Sequence, residues 1–333
     1  MASSGDPKPP SQKPYVVEDC RGVLQVLSDG TVVRAAAPPF PVGVDHEDGR
    51  VEWKDAVYDT GRGLGVRLYR PATCGGKEEG DKKLKLPVVV YFHGGGFCLG
   101  SCTWPNFHAG CVRLAASLPA VVLSFDYRLA PEHLLPAAHE DAAAALLWLR
   151  DQLLSDPWLA DAAESRRVFV SGESAGGNMS HHLAVRFGTD GLDPLKIAGY
   201  ILLMPAFLSE QPTRSELEAP DTAFLTRETC DRYSRLTLPA GANKDHPLFN
   251  PFGPESRSLD TVDVGRMLVV AAEGDLLRDK NAEYAERMKA MGKDVELVVF
   301  DGEEHAFFGL KPLSAATGEL VGLIRRFIAA ETA

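Results

Sequence analysis

The chain has 333 residues, 45% of them apolar and 24% charged, with a formal net charge of -11. A chain of this length buries a large core, as one large domain or two average ones, and its acidic balance argues against non-specific nucleic-acid binding, which needs a basic face. The apolar runs are far shorter than the roughly 20 residues that span a bilayer, so no membrane role is expected.

Taken in order, residues Met1 to Tyr15 are polar and Pro-rich, without the apolar segment of a secretory signal. A cytoplasmic protein is expected, with the nucleus also open to it. In that setting the six cysteines, Cys20, Cys74, Cys98, Cys102, Cys111 and Cys230, read as free thiols. None of their spacings matches a zinc site. Gly22 to Val33 holds two apolar runs around Ser-Asp-Gly, the mark of a hairpin, and Val51–Asp59 with Leu64–Pro71 repeats it around Thr60-Gly61-Arg62-Gly63. Thr73 to Lys85 reads as a solvated loop.

From Leu86 the character changes. Leu86–Phe92 (LPVVVYF) is a continuous apolar run, as in a strand covered on both faces. Strands are predicted also at Val121–Tyr127, Arg167–Gly172, Ala198–Pro205, Met267–Ala272 and Val295–Phe300. Helices are predicted between and after them at Phe107–Ser117, Pro136–Leu154, Ala175–Phe187, Arg278–Met291 and Ser314–Ala330. The alternation predicts an α/β fold, a mostly parallel sheet with helices on both faces and the early hairpins at one edge. The whole of 1–333 is read as one such domain, with 1–45 as an N-terminal tail and lid segment. The Pro-rich stretch 207–254 breaks the alternation and reads as a cap or insert over a site, with plugging of the core as the alternative.

Three stretches carry chemistry. Gly172-Glu173-Ser174-Ala175-Gly176 follows a predicted strand and opens a predicted helix, the context in which G-x-S-x-G presents a nucleophilic serine on a tight turn. His93-Gly94-Gly95-Gly96 ends the LPVVVYF strand, and its glycines leave backbone amides unshielded, suited to an oxyanion. Gly94, Gly95, Gly96 and Ala175 are the candidates for that hole, with His93 a structural support. A serine hydroxyl needs a base near neutral pH, and His305, just after the last predicted strand, is the best placed of nine histidines. Asp275, at the end of Met267–Ala272, is the carboxylate expected to orient that imidazole, ahead of Asp279 and Glu273. Phe97, Phe207 and Phe307 stand as substrate-binding wall residues, with core packing as their alternative. Arg128 in the run Asp126-Tyr127-Arg128-Leu129-Ala130-Pro131-Glu132-His133 is expected to pair locally in a structural turn. Glu140 and Asp141 read as a solvated face or a packing contact.

These residues resemble the plant carboxylesterases of the hormone-sensitive-lipase type, a family that includes the gibberellin receptors. The marks are HGGGF at 93–97, DYRLAPEH at 126–133, GESAGGN at 172–178, DHPLFNPFGP at 245–254 and GDLLRD at 274–279. The resemblance covers nearly the whole chain from Val16. It implies an α/β-hydrolase fold with an N-terminal lid, no metal or other cofactor, and the triad Ser174, Asp275, His305. Val16 to Val33 and Trp53-Lys54-Asp55 look most like the branch that cleaves strigolactones. The expected activity is hydrolysis of small-to-medium hydrophobic esters or lactones, with no partner protein required. A hormone receptor and a dehydratase using the same oxyanion hole are the rivals. The receptors of the family lack the catalytic histidine, whereas this chain keeps His305.

Overall fold

The computed structural model describes residues 13–37, 49–72, 85–153 and 155–330. Contacts divide the chain into two compact units, one up to residue 38 and one from residue 39 onward. In the first, strands β1 (Val16–Cys20), β2 (Leu24–Leu27) and β3 (Val32–Arg34) form an antiparallel sheet. The hairpin at Ser-Asp-Gly is present, and β1 adds a strand the pattern did not announce. Of the segment 1–45 read as tail and lid, residues 1–12 and 38–45 lie outside the described residues, as do Cys74 and His46.

In the second unit the elements run β4 (Val51–Asp59), β5 (Leu64–Pro71), β6 (Leu86–Phe92), α1 (Pro105–Ser117), β7 (Val121–Phe125), α2 (Ala137–Gln152), α3 (Pro157–Ala160), β8 (Ala163–Glu173), α4 (Ala175–Asp190), β9 (Ile197–Leu203), α5 (Arg214–Glu218), α6 (Arg227–Thr237), β10 (Met267–Ala272), α7 (Arg278–Ala290), β11 (Val295–Phe300), α8 (Phe307–Leu310) and α9 (Ala315–Ala329). Eight strands form one sheet in the order β11-β10-β9-β8-β6-β7-β5-β4. The six from β11 to β7 are parallel, and the hairpin β4–β5 joins antiparallel to β7.

Both faces of this sheet are buried, which explains the unbroken apolar runs. Along β6, Val88, Val90 and Phe92 point into one core while Val89 and Tyr91 point into the other. The first core is closed by α2, α4 and α7 through Leu146, Met179 and Met288, the second by α1 and α9 through Cys111 and Ile324. Because the central strands are parallel, the carboxyl ends of β6, β8, β9, β10 and β11 open on the same edge, where ligand groups collect in such sheets. Each predicted site motif follows one of those ends. Five described cysteines are buried and free of disulfides. No helix among the described residues is long and apolar enough to cross a membrane.

Candidate active site

Ser174 stands between β8 and α4 with φ 53° and ψ -114°, a left-handed backbone unusual for a residue with a side chain. Its N–H donates to Leu203 O at 2.9 Å, and its carbonyl accepts from Asn178 N at 3.0 Å and Ala206 N at 2.9 Å. The helix passes so close beneath the strand that a Cβ on Gly176 would overlap the Phe92 carbonyl, which is why the motif ends in glycine. Three further residues with side chains, Phe97 (φ 60°), Met204 (φ 45°) and Ala306 (φ 57°), adopt the same backbone region at neighbouring strand ends. Such strain gathers at sites where the surroundings over-determine the chain.

His305 and Asp275 meet. Nδ1 of His305 lies 2.7 Å from Asp275 Oδ2, and both residues are buried. An ionised carboxylate only accepts, so Nδ1 carries the hydrogen and Nε2 is left with its lone pair. The other Asp275 oxygen accepts from Leu277 N at 3.0 Å. The loops bearing the two residues are stitched together: Glu273 N donates to Phe300 O, Gly274 N to Glu303 O, and Gly302 N to the Glu273 carboxylate. Of the two competing acids, Glu273 is used in that stitching, and Asp279 accepts from Ser215 N and Arg278 Nε. His181 and His182 on α4 face away into a buried cluster with His139 and Tyr284.

The glycine loop turns sharply at Gly95 (φ 115°) and Gly96 (φ 60°), and a Cβ on Gly96 would fall inside the ring of Tyr233 on α6. His93 supports the loop from below. It stacks on Tyr127 at 4.4 Å and Phe107 at 5.2 Å, with Nδ1 2.8 Å from Gly94 O. The Gly94 amide is directed to Glu173 Oε1 at 3.4 Å. Among the four candidates for the oxyanion hole, Gly94 is the one whose amide is engaged in this way. The Glu173 carboxyl is buried, and burial pushes it up to about 7 against the pull of His305, the Gly94 amide and the Tyr91 hydroxyl.

Of the three phenylalanines expected to line a pocket, Phe207 borders a cavity beside Ser209, Phe252 and Tyr284, while Phe97 and Phe307 take the alternative and pack in the cores. Phe97 packs under the glycine loop against Phe249 and His139, Phe207 packs on Tyr284 and His181, and Phe307 sits on Phe300 in the second core. Each is 2% exposed or less, because its strand end or helix turn directs the ring inward. A further cavity of about 80 Å³ lies between α1, α8 and α9. Tyr91, Phe107, Glu173, Leu203 and Phe308 are among its walls. The one readable signal for it was Glu173, which the motif itself contains.

The 207–254 stretch holds two helices and is fastened to both loops of the Asp–His pair. Ser215 donates to Leu276 O at 2.7 Å, and Phe224 N donates to the Glu304 carboxylate at 3.1 Å. Asn178 of the GESAGGN run donates to Ala206 O and Leu248 O, anchoring α4 to the same stretch. Among the described residues no group of His, Cys, Asp and Glu is arranged to hold a metal ion.

A family profile described as alpha/beta hydrolase fold matches residues 89–309. The chain is 38% identical over 299 residues to probable carboxylesterase 6 of Arabidopsis thaliana, covering 88% of this chain and 84% of that protein. It is 35% identical over 319 residues to 2-hydroxyisoflavanone dehydratase of Glycyrrhiza echinata, covering 92% and 94%. Among solved structures, the esterase of Pyrobaculum calidifontis matches with a TM-score of 0.70 at 32% identity, covering 87% of this chain and 86% of that one.

Proposed function

The chain belongs to the alpha/beta hydrolase fold family and is a serine hydrolase of the carboxylesterase type, and from that premise we propose that Ser174, His305 and Asp275 cleave small-to-medium hydrophobic esters or lactones. The observation that carries this reading is the buried 2.7 Å pair of His305 Nδ1 and Asp275 Oδ2 at the strand ends beside the Ser174 turn. With Nδ1 occupied, Nε2 takes the hydroxyl proton as Ser174 Oγ bonds to the carbonyl carbon. The carbonyl oxygen becomes an anion held by the amides of Gly95, Gly96 and Ala175. The ester C–O bond then breaks, and the leaving oxygen takes the proton back from the imidazole. Water, deprotonated by His305, attacks the acyl carbon, and the acid leaves as Oγ is reprotonated.

The stretch 207–254 serves as the cap, given its bonds to both loops of the pair. The resemblance of Val16–Val33 and Trp53–Asp55 to the strigolactone-cleaving branch narrows the candidates to a butenolide, whose ring Ser174 would open. A panel of p-nitrophenyl esters, a strigolactone analogue and a β-hydroxy ketone tests the proposal. Acid release from an ester or lactone, lost in Ser174→Ala, is the expected result. Water loss from the ketone without ester cleavage, or tight binding without product, would refute it.

A further inference from the structure

Glu173 is a buried carboxyl that the triad does not use, and its place is unusual. It is the residue before Ser174, at the end of β8, yet its side chain reaches the loop after β6, 79 positions earlier in the chain. There Oε1 accepts the Gly94 amide at 3.4 Å, and a Cβ on Gly94 would lie 3.1 Å from Glu173 Cγ and Oε1. The carboxyl therefore lies flat against the first glycine of the oxyanion loop. It fastens the strand that carries the nucleophile to the loop that carries the amides. Both parts must be aligned to a fraction of an ångström, because displacing reacting groups by about 1 Å costs on the order of 10²-fold in rate.

The groups facing Glu173 come from four elements: Tyr91 on β6, Cys111 on α1, Tyr127 after β7, and His305 after β11. Burial pushes the Cys111 thiol up to about 12 and both tyrosines well above their usual range, so all three stay protonated through neutral pH. Arg113, in the same cavity wall, donates to the Pro312 carbonyl.

We propose that Glu173 is a positioning residue, whose carboxyl holds Gly94, and through it Gly95 and Gly96, in register with the Ser174 hydroxyl. The proposal rests on the esterase reading above. An oxyanion exists only during reaction, so loss of its positioning lowers kcat with little change in KM. Turnover of p-nitrophenyl butyrate is measured from pH 5 to 9 for the wild type, Glu173→Ala and Glu173→Gln, with thermal melts to verify folding. Glu173→Ala is expected to lose kcat by about tenfold to 10²-fold. Glu173→Gln keeps an acceptor in the same place and is expected to recover part of that loss. If Glu173→Ala does not fold, Glu173→Gln decides alone, with a loss of kcat beyond twofold at unchanged KM expected. Turnover within twofold of wild type in the folded variants would overturn the proposal and leave the esterase reading intact. A wild type without turnover would overturn both.

Discussion

Asp275 and Asp141 are both fully buried carboxylates bonded to a side chain that carries or acquires positive charge, and they serve opposite ends. Asp141, on α2, is saturated. Arg128 reaches it through Nε at 3.0 and 2.8 Å and Nη2 at 2.8 Å, and the Arg128 backbone amide adds a bond of 2.9 Å. Its partner never changes charge, so the pair locks the turn after β7 and nothing more. Asp275 meets the imidazole of His305, which gains and loses a proton in the proposed mechanism. The difference is set by place as much as by chemistry: Asp275 stands beyond the carboxyl end of a central parallel strand, whereas Asp141 lies inside a helix packed on the sheet.

Exchanging each acid for its amide separates the two roles most sharply. Asp275→Asn is expected to lower kcat on the order of 10⁴-fold, because the amide stabilises the wrong imidazole tautomer. Its melting temperature should stay near that of the wild type. Asp141→Asn should do the reverse, costing about 3–5 kcal/mol of stability because it leaves Arg128 without its buried counter-charge, with kcat retained in the folded fraction. Urea titrations and steady-state kinetics on the two variants test this. Comparable kcat losses in both would erase the distinction.

Next in size is the glycine loop. Gly96→Ala forces a side chain into left-handed backbone and into the Tyr233 ring, and a loss of about 10²-fold in kcat is expected from the displaced amide. Adding Tyr233→Ala removes the overlap but not the backbone strain, so the double variant should recover part of the loss. Recovery of all of it would mean that φ at Gly96 is immaterial.

The smallest effect is on stability with pH. Burial lowers His139 to about 4 and His181 to about 3, and holds His182 well below its usual range. Their unfolded counterparts titrate near 6.5. Stability from these three is therefore full above about pH 6.5 and is lost as the pH falls toward about 4. Glu173, raised to about 7, acts in the opposite sense: its contribution is full below its unfolded value near 4.5 and fades as the pH rises to about 7. Three groups against one give a net loss on acidification. The urea midpoint should drop between pH 7.5 and pH 5, and a flat profile would count against neutral buried histidines.

Much of the fold is legible in the sequence. Continuous apolar runs such as Met267–Ala272 suit a sheet covered on both faces, and β4, β5, β6, β10 and β11 begin and end where the pattern places them. The motifs fell at strand ends because glycine, serine, histidine and aspartate there have little value for packing. The cavity walls were not readable. Phe307 and Phe308 are neighbours with the same side chain, and only the helical turn after Ala306 decides that one enters the core and the other the cavity. Helices α5 and α6 are only partly legible: Tyr233 and Leu236 have partial helical spacing, but apolar residues are few and prolines flank both helices. Thr213 and Glu216, which form a reciprocal capping box at the start of α5, were the overlooked signal.

Mass mapping of a covalent adduct tests the central assignment most directly. After reaction with a fluorophosphonate that mimics the tetrahedral intermediate, the account predicts one adduct on the peptide containing Ser174, absent in Ser174→Ala and formed far more slowly in Asp275→Asn. An adduct on another residue, or ester turnover that survives Ser174→Ala, would contradict it.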